Sequence, residues 1–282
     1  MEIKNVTIVG AGTMGNGIAH VFAQNGFNVD FVDIKDEYIK RGIDTIKKNL
    51  DRQIKKGIIS EEDKSAILQR ITPIVGIENV NKETDLVIEA VTENKEVKLS
   101  IFKVLQDIVK EESIFASNTS SISITELSVV SRPEKFIGMH FMNPVPVMKL
   151  VEIIRGYSTS DKTYQTIKEL SEKLGKTPVE VQDYPGFISN RILMPMINEA
   201  IYTLYENVAS AEHIDTVMKL GMAHPMGPLT LADFIGLDVC LAIMNVLYEG
   251  FNDSKYRPCP LLKKMVAANK LGRKSGEGFF KY

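Results

Sequence analysis

The first half of the chain alternates short apolar runs with longer amphipathic segments. Apolar runs typical of β-strands occupy residues 5–10, 27–33, 85–91, 113–118, 135–141, 149–154 and 177–182. Apolar residues recur at helical spacing over 15–26, 36–56, 61–70, 95–110, 123–130 and 161–174. Strands that alternate with helices pair mostly in parallel and carry helices on both faces, so this half predicts an α/β domain.

The pattern changes after "DYPGF" at residues 183–187, where the strand signals nearly stop. Three segments beyond it, 189–208, 210–221 and 228–250, repeat apolar residues at helical spacing. We therefore predict an α/β domain over residues 1–184 and a smaller all-helical domain over residues 185–282.

A glycine-rich turn follows the first predicted strand and opens the first predicted helix. The turn comprises Gly10, Gly12, Thr13, Met14 and Gly15 and has the form G-x-G-x-x-G. Asp33 ends the second predicted strand, where a carboxylate accepts hydrogen bonds from ribose hydroxyls and disfavours a 2′-phosphate. Strand, glycines, helix and acid together predict a Rossmann-type domain, with a mostly parallel sheet, that binds NAD rather than NADP.

One histidine and one glutamate stand inside otherwise apolar runs. His140 is the fifth residue of "FIGMHF" and Glu152 lies in "KLVEII". The prolines of "NPVPV" between them block strand pairing, so the chain must turn there and the two side chains can meet. Two interpretations stay open: an inert buried pair, or a general base whose imidazole, with an ordinary pKa of about 6.5, is oriented by a carboxylate.

Composition narrows the class of protein. The 282 residues are 44% hydrophobic and 25% charged, with a net charge of −2, so no basic field favours a nucleic acid or a membrane surface as partner. No apolar stretch approaches the roughly 20 residues that span a bilayer, and no secretory signal is recognisable. The two cysteines lack metal-ligand spacing. We expect a cytoplasmic protein without a metal.

Five segments resemble the successive signatures of the 3-hydroxyacyl-CoA dehydrogenase family, with the closest likeness to its bacterial 3-hydroxybutyryl-CoA branch. They are "VTIVGAGTMGNGIAH", "SNTSSISITE", "GMHFMNPVPVMKLVEII", "PGFISNRIL" and "HPMGPLTLADFIGLD". The resemblance implies an oxidoreductase of fatty acid and butyrate metabolism. It would transfer a hydride between NAD(H) and a short-chain (S)-3-hydroxyacyl-CoA or 3-ketoacyl-CoA, with acetoacetyl-CoA and (S)-3-hydroxybutyryl-CoA as the expected pair. It also implies a dimer or higher homo-oligomer.

The resemblance assigns roles to individual residues. It implies that His140 is the catalytic base, that Glu152 is its partner, and that Ser120 and Asn190 contact the substrate. On the cofactor side it implies contacts from Ala90, Glu93, Lys98, Asn118 and Asn143. Simpler interpretations stay open. Ser120 lies in a polar turn that could cap the helix predicted over 123–130, Asn190 could cap the long helix after "PGF", and Glu93 and Lys98 could form a solvated helix start.

A basic cluster stands out in "KKNLDRQIKK". Lys48, Arg52, Lys55 and Lys56 fall on one face of a helix. The resemblance implies that this helix contacts the acyl-CoA through Asn49, Arg52 and Lys56, although Asn49 stands where the family carries a serine. A solvated face is the alternative.

Two other functions compete with this interpretation. One is a β-hydroxyacid dehydrogenase that acts on free acids; such enzymes use a catalytic lysine on the long interdomain helix, where this chain has "SNRIL". The other is a non-catalytic NAD-binding structural relative, against which the joint presence of Ser120, His140, Glu152 and Asn190 speaks.

Overall fold

The computed structural model describes residues 2–282 and divides after Asp183 into two compact units, the second covering Tyr184–Tyr282. Met1, the first residue of the domain predicted over 1–184, lies outside the described residues. Each unit has its own hydrophobic core.

The first unit is built on one eight-stranded sheet. Its strands are β1 (Asn5–Val9), β2 (Asn28–Asp33), β3 (Ile71–Val75), β4 (Leu86–Glu89), β5 (Ile114–Ser117), β6 (Phe136–Phe141), β7 (Leu150–Arg155) and β8 (Thr177–Gln182). The order is β3-β2-β1-β4-β5-β6-β7-β8, and all neighbours pair in parallel except β6 and β7. The predicted mostly parallel, Rossmann-type sheet is confirmed.

Six helices connect these strands. They are α1 (Thr13–Gln24), α2 (Asp36–Lys55), α3 (Glu61–Gln69), α4 (Lys95–Leu105), α5 (Ile124–Ser128) and α6 (Asp161–Lys173). Every residue of β4, β5 and β6 is buried, as is typical of central strands covered on both faces. The long helix α2 is polar overall but buries a stripe of Ile39, Ile46 and Leu50, so its hydrophilic sequence is still anchored to the core.

The sequence analysis did not predict strand β3, and this omission is wrong. Its sequence "ITPIV" contains Pro73, which lacks the N–H that a central strand needs. The structure places β3 at the edge of the sheet, where β2 is its only strand neighbour, with Pro73 opposite Phe31. An edge strand tolerates proline because one of its sides has no ladder to complete.

The second unit is helical, as predicted. Its helices are α7 (Ser189–Tyr205), α8 (Ala211–Gly221), α9 (Pro228–Ile235), α10 (Leu237–Phe251) and α11 (Pro260–Ala267). The apolar segment 228–250 forms two helices because Gly236 adopts a φ of 103°, which interrupts the helix between α9 and α10. Buried side chains from these helices form the core of the unit.

Among residues 2–282, no single helix is long and apolar enough to cross a membrane. The pair α9 and α10, bent by 98° at its junction, meets the criteria of length and composition only when the two helices are taken together.

Candidate active site

The candidate site lies at the carboxyl edge of the sheet, where the strand order reverses between β1 and β4. In open α/β sheets, ligands bind in the crevice at such a reversal. The glycine turn leaves β1 at this point, and Gly10 adopts a φ of +106°. A Cβ on Gly10 would lie 2.6 Å from the Ala90 carbonyl oxygen, and one on Gly15 would lie 1.7 Å from the Gly10 oxygen. The close packing of the protein itself therefore requires both glycines.

Packing does not require a glycine at position 12. Apart from its two chain neighbours, no atom of residues 2–282 lies within 4 Å of the place where its Cβ would be, and its φ of −69° suits any residue. Gly12 is the N-cap of α1, and no side chain caps the helix, so the first-turn amides of Thr13 and Met14 keep their hydrogen-bonding capacity. Open space in front of a helix N-terminus fits the pyrophosphate of a dinucleotide.

Asp33, at the end of β2, connects the second strand to the glycine turn. Its Oδ2 accepts a hydrogen bond from the Ala11 amide at 2.7 Å, and its Oδ1 accepts one from the Ile34 amide at 2.7 Å. A carboxylate oxygen can accept two hydrogen bonds, so capacity for ribose hydroxyls remains. Asp33 lines a pocket of about 370 Å³ together with Gly12, Thr13, Tyr38 and Arg41, among others. These residues fit the adenosine end of NAD.

His140 and Glu152 are directly opposite each other in the antiparallel pair β6 and β7. Side chains at opposite positions of such a pair point to the same face of the sheet, so the register brings them together. The His140 Nδ1 lies 2.8 Å from the Glu152 Oε2, and both residues are buried, with exposures of 8% and 2%. A carboxylate can only accept here, so Nδ1 carries the proton and Nε2 is the basic nitrogen of the neutral ring.

Ser120 lies in the loop after β5, which Glu93 holds in place. The Glu93 Oε1 accepts hydrogen bonds from the Thr119 hydroxyl at 2.6 Å, the Ser120 amide at 2.9 Å and the Ser121 hydroxyl at 2.9 Å. Burial alone would raise the pKa of Glu93, but the positive charge of Lys98 and these hydrogen bonds outweigh it and lower that pKa. Glu93 therefore stays charged and orders the loop.

Lys98 is not part of a solvated helix start, and that alternative is wrong for this residue. It is 1% exposed, and its Nζ lies 2.7 Å from Glu89 and 3.2 Å from Glu93. Sequence reasoning missed Glu89, which is fully buried at the end of β4, and Ser117, whose hydroxyl donates to the Glu89 Oε2 at 2.6 Å. An acid inside the apolar run "DLVIEAV" was the available signal.

The remaining residues predicted on the cofactor side follow three neighbouring strands at the same edge. Asn118 is buried after β5, and its Oδ1 accepts from the Phe141 amide at 2.9 Å, which joins the ends of β5 and β6. Ala90 follows β4 and donates its amide to the Val9 carbonyl at 2.8 Å. Asn143 is exposed just beyond β6.

Two capping interpretations are wrong. The N-cap of α7 is Ile188, whose side chain makes no capping hydrogen bond; Asn190 is the buried second residue of α7, in the second unit. The N-cap of α5 is Ser123, which accepts from the Glu126 amide, and not Ser120. Neither Ser120 nor Asn190 therefore occupies the N-cap position of its helix.

The basic cluster on α2 is exposed. Lys48, Arg52, Lys55 and Lys56 all reach solvent, and the Arg52 Nη1 donates to the Asn49 Oδ1 at 3.1 Å. Within residues 2–282, the ion pairs of α2 involve other side chains of the helix and not these four cations. The four charges are available to an anionic ligand, and both interpretations of the cluster stay open.

The fold and the site define the class of protein. A dinucleotide-binding turn, a ribose-directed acid and a buried imidazole–carboxylate pair occur at one edge of a mostly parallel sheet. This combination is typical of an NAD-dependent dehydrogenase.

Comparison with known proteins identifies the family. The NAD binding domain of 3-hydroxyacyl-CoA dehydrogenase matches residues 5–184, and the C-terminal domain of the same family matches residues 186–282. A probable 3-hydroxybutyryl-CoA dehydrogenase of Deinococcus radiodurans is 58% identical, over 98% of this chain and 99% of the relative. The 3-hydroxybutyryl-CoA dehydrogenase of Bradyrhizobium diazoefficiens is 56% identical, over 99% and 96%.

A solved structure agrees with these relatives. The crystal structure of (S)-3-hydroxybutyryl-CoA dehydrogenase from Ralstonia eutropha superposes with a TM-score of 0.97 at 55% identity, covering 100% of this chain and 99% of the other. The chain belongs to the 3-hydroxyacyl-CoA dehydrogenase family. It is an NAD-dependent oxidoreductase of hydroxyacyl-CoA.

Proposed function

We propose that this chain interconverts acetoacetyl-CoA and (S)-3-hydroxybutyryl-CoA, with His140 as the group that exchanges the proton. The observation that carries the proposal is the 2.8 Å hydrogen bond between the His140 Nδ1 and the Glu152 Oε2. The names of the three relatives support the four-carbon substrate.

The tautomer of His140 determines which ring nitrogen exchanges the proton with the substrate. In the oxidation, the His140 Nε2 takes the proton of the 3-hydroxyl group; in the reduction, it returns that proton to the oxygen of the keto group. NAD, when bound, supplies the acceptor of the C3 hydride in one direction and the donor in the other. Glu152 orients the ring, since its carboxylate lies against Nδ1, and its negative charge would stabilise the imidazolium that forms.

Ser120 and Asn190 are proposed substrate contacts. Ser120 is placed by its amide and hydroxyl contacts to Glu93, so its position is determined by the same network that orders the loop. Asn190 lies near the start of α7, and its proposed role is to donate from its amide group to the keto or the thioester oxygen of the substrate.

The basic cluster on α2 is the proposed contact for the coenzyme A phosphates. Its exposure suits the solvent-facing end of a long ligand, and Lys56 lies just beyond the last helical residue with its side chain exposed.

The expected homo-oligomer is supported by apolar side chains that the second unit exposes, among them Val208, Val217 and Leu220. Analytical ultracentrifugation measures the assembly state. The cytoplasmic location stays a prediction from the sequence, which cell fractionation tests.

The first test concerns turnover. His140→Gln is expected to lower kcat for acetoacetyl-CoA reduction by about 10² to 10⁴, because the proton donor is lost, while the Kd for NADH stays within about twofold. Glu152→Gln is expected to lower kcat by about 10² or more, since an amide can stabilise the wrong ring tautomer. Initial rates of NADH oxidation and NADH titration provide the two readouts.

His213→Gln is the matched control, because His213 is exposed on α8 and takes no part in the site. A near-normal rate for His140→Gln would remove the imidazole from the mechanism. Turnover of free 3-hydroxyacids without turnover of CoA thioesters would show that the protein is a β-hydroxyacid dehydrogenase. The absence of NADH oxidation with every acyl-CoA tested would favour a non-catalytic protein.

A further inference from the structure

A buried network of charges connects three segments at the carboxyl edge of the sheet. Glu89 ends β4 and is 0% exposed. Its Oε1 accepts from the Lys98 ammonium at 2.7 Å and from the Val91 amide at 2.7 Å, and its Oε2 accepts from the Ser117 hydroxyl at 2.6 Å. Glu89 therefore joins the first turns of α4 to the end of β5.

The network continues from Lys98 to Glu93, at 3.2 Å, and from Glu93 to the loop that contains Ser120. Two carboxylates share one ammonium, so the triad of Glu89, Lys98 and Glu93 has a net charge of −1. Glu89 and Lys98 are almost completely removed from solvent, whereas Glu93 is 38% exposed at its side chain. Water therefore screens the charge of Glu89 much less than it would screen a surface carboxylate.

The position of Glu89 in the sheet indicates what this charge acts on. Glu89 is paired with Val9 of β1, at the reversal of the strand order. In such folds the two halves of the sheet each receive one half of the dinucleotide. Asp33 serves the adenosine half, which leaves the nicotinamide half for the loops after β4 and β5, the loops that Glu89 connects.

The nicotinamide ring is positively charged when oxidised and neutral when reduced. A net negative charge on this side of the site stabilises the oxidised ring more than the reduced ring. We propose that Glu89 is a positioning residue of this dehydrogenase and that its buried charge biases the protein toward NAD+ over NADH. The inference rests on the nicotinamide cofactor of the proposed function and adds to it a residue that controls the balance between the two cofactor forms.

Glu89→Gln separates charge from geometry. The glutamine Oε1 can accept from Lys98 and Val91 as before, and its Nε2 can donate to the Ser117 oxygen, so every contact has a replacement. The Kd values of the full-length protein for NAD+ and for NADH are measured by isothermal titration calorimetry. We expect the ratio of the NAD+ Kd to the NADH Kd to rise on the order of tenfold. A tenfold ratio corresponds to about 30 mV in the potential of the bound two-electron couple.

Two further variants distinguish charge from structure. Ser117→Ala removes a hydrogen bond to Glu89 without changing charge, and its Kd ratio is expected to match that of the unsubstituted protein. The double variant Glu89→Gln/Lys98→Met restores the net charge of −1 through Glu93, so its ratio should return toward the original value. A purely structural role of Glu89 would instead weaken both cofactor forms equally.

An unchanged Kd ratio in folded Glu89→Gln overturns the proposal. Thermal unfolding establishes that the variant is folded; if it is not, Glu93→Gln removes one unit of charge from the same triad and must raise the ratio too, by a smaller factor because Glu93 is partly exposed and its charge is better screened. If the unsubstituted protein binds neither NAD+ nor NADH, the proposed function is contradicted. If it binds both and Glu89→Gln leaves the Kd ratio unaltered, only the role of Glu89 is contradicted.

Discussion

At the scale of single residues, the three glycines of the turn are present for different reasons. Gly10 and Gly15 are needed by the folded protein, because a Cβ at either position would collide with backbone atoms at 2.6 Å and 1.7 Å. Gly12 faces open space, so only a ligand gives a reason for the missing side chain. The motif is thus part packing requirement and part binding site.

This difference leads to a contrast between two alanine substitutions. Gly12→Ala is expected to leave the unfolding temperature within about 2 °C and to weaken NADH binding by about tenfold or more, because the methyl group occupies the pyrophosphate approach. Gly15→Ala is expected to destabilise the protein by about 3 kcal/mol, because the backbone must shift. Calorimetric unfolding and NADH fluorescence titration measure both effects.

The two substitutions serve as controls for each other. Equal loss of stability in both variants would show that packing also requires a glycine at position 12. Unimpaired NADH binding by folded Gly12→Ala would show that the pyrophosphate does not bind at this turn.

At the scale of elements, the register of β6 and β7 decides whether the site exists. His140 and Glu152 meet because they are paired opposite each other across an antiparallel ladder. A slip of one residue would turn every side chain of one strand to the other face and separate the pair. The connection over residues 142–149 therefore matters to the proposed catalytic role of His140 through the register that joins this pair.

The basic cluster of α2 is a second property of an element. Lys56→Glu is expected to raise the KM for acetoacetyl-CoA by about fivefold at low ionic strength, because an exposed ion pair is worth up to about 1 kcal/mol. The value of kcat and the KM for NADH should stay unchanged. The increase should shrink as salt screens the phosphates, which a series of initial rates at rising ionic strength measures.

Lys47→Glu is the matched control: it makes the same change of charge on the same helix, but Lys47 lies on a different face from the cluster and pairs with Asp44. An equal rise in KM for both variants would show that the effect comes from the overall charge of the helix. No rise for Lys56→Glu would show that the cluster is a solvated face that does not contact the coenzyme A phosphates.

At the scale of the whole molecule, we expect stability to depend on pH through a buried histidine outside the site. His20 of α1 is 0% exposed, its Nδ1 has no hydrogen-bond partner within residues 2–282, and its Nε2 lies 3.4 Å from the Gln53 amide of α2. Burial lowers the pKa of His20 from 6.5 to about 4, and the positive charge of Lys176 adds to that decrease.

The sign of the pH dependence follows from that shift. Above pH 6.5, His20 is neutral in both folded and unfolded chains; between pH 6.5 and 4, only the unfolded chain takes up the proton, so stability falls as the pH falls. From about pH 7.5 to about pH 5, this group should contribute a loss of about 2 kcal/mol. Urea unfolding of the protein and of His20→Gln at both pH values isolates that contribution as a difference.

His213→Gln, at an exposed histidine, should retain the full pH dependence. If His20→Gln loses as much stability between the two pH values as the unsubstituted protein does, another group is responsible for the dependence.

Some features depended on contacts between distant residues and were out of reach of the sequence. The helix predicted over 95–110 ends at Leu105, and the carbonyl groups of Gln106 and Val109 accept instead from the guanidinium of Arg132, at 2.7 Å and 3.0 Å. Nothing in the local pattern indicates that partner. The same holds for Lys98, whose sequence neighbourhood is that of a solvated helix and whose ammonium is nevertheless buried beside Glu89.

The order of residues by itself determined the succession of an α/β half and a helical half, the glycine turn, and the family to which the chain belongs. These depend on local spacing and on short motifs, which a linear pattern contains in full. Only the tertiary structure decided the edge position of β3, the register that joins His140 to Glu152, and the burial of the charged triad. Each of these depends on which distant segments pair, and that choice is made by the packing of the whole chain.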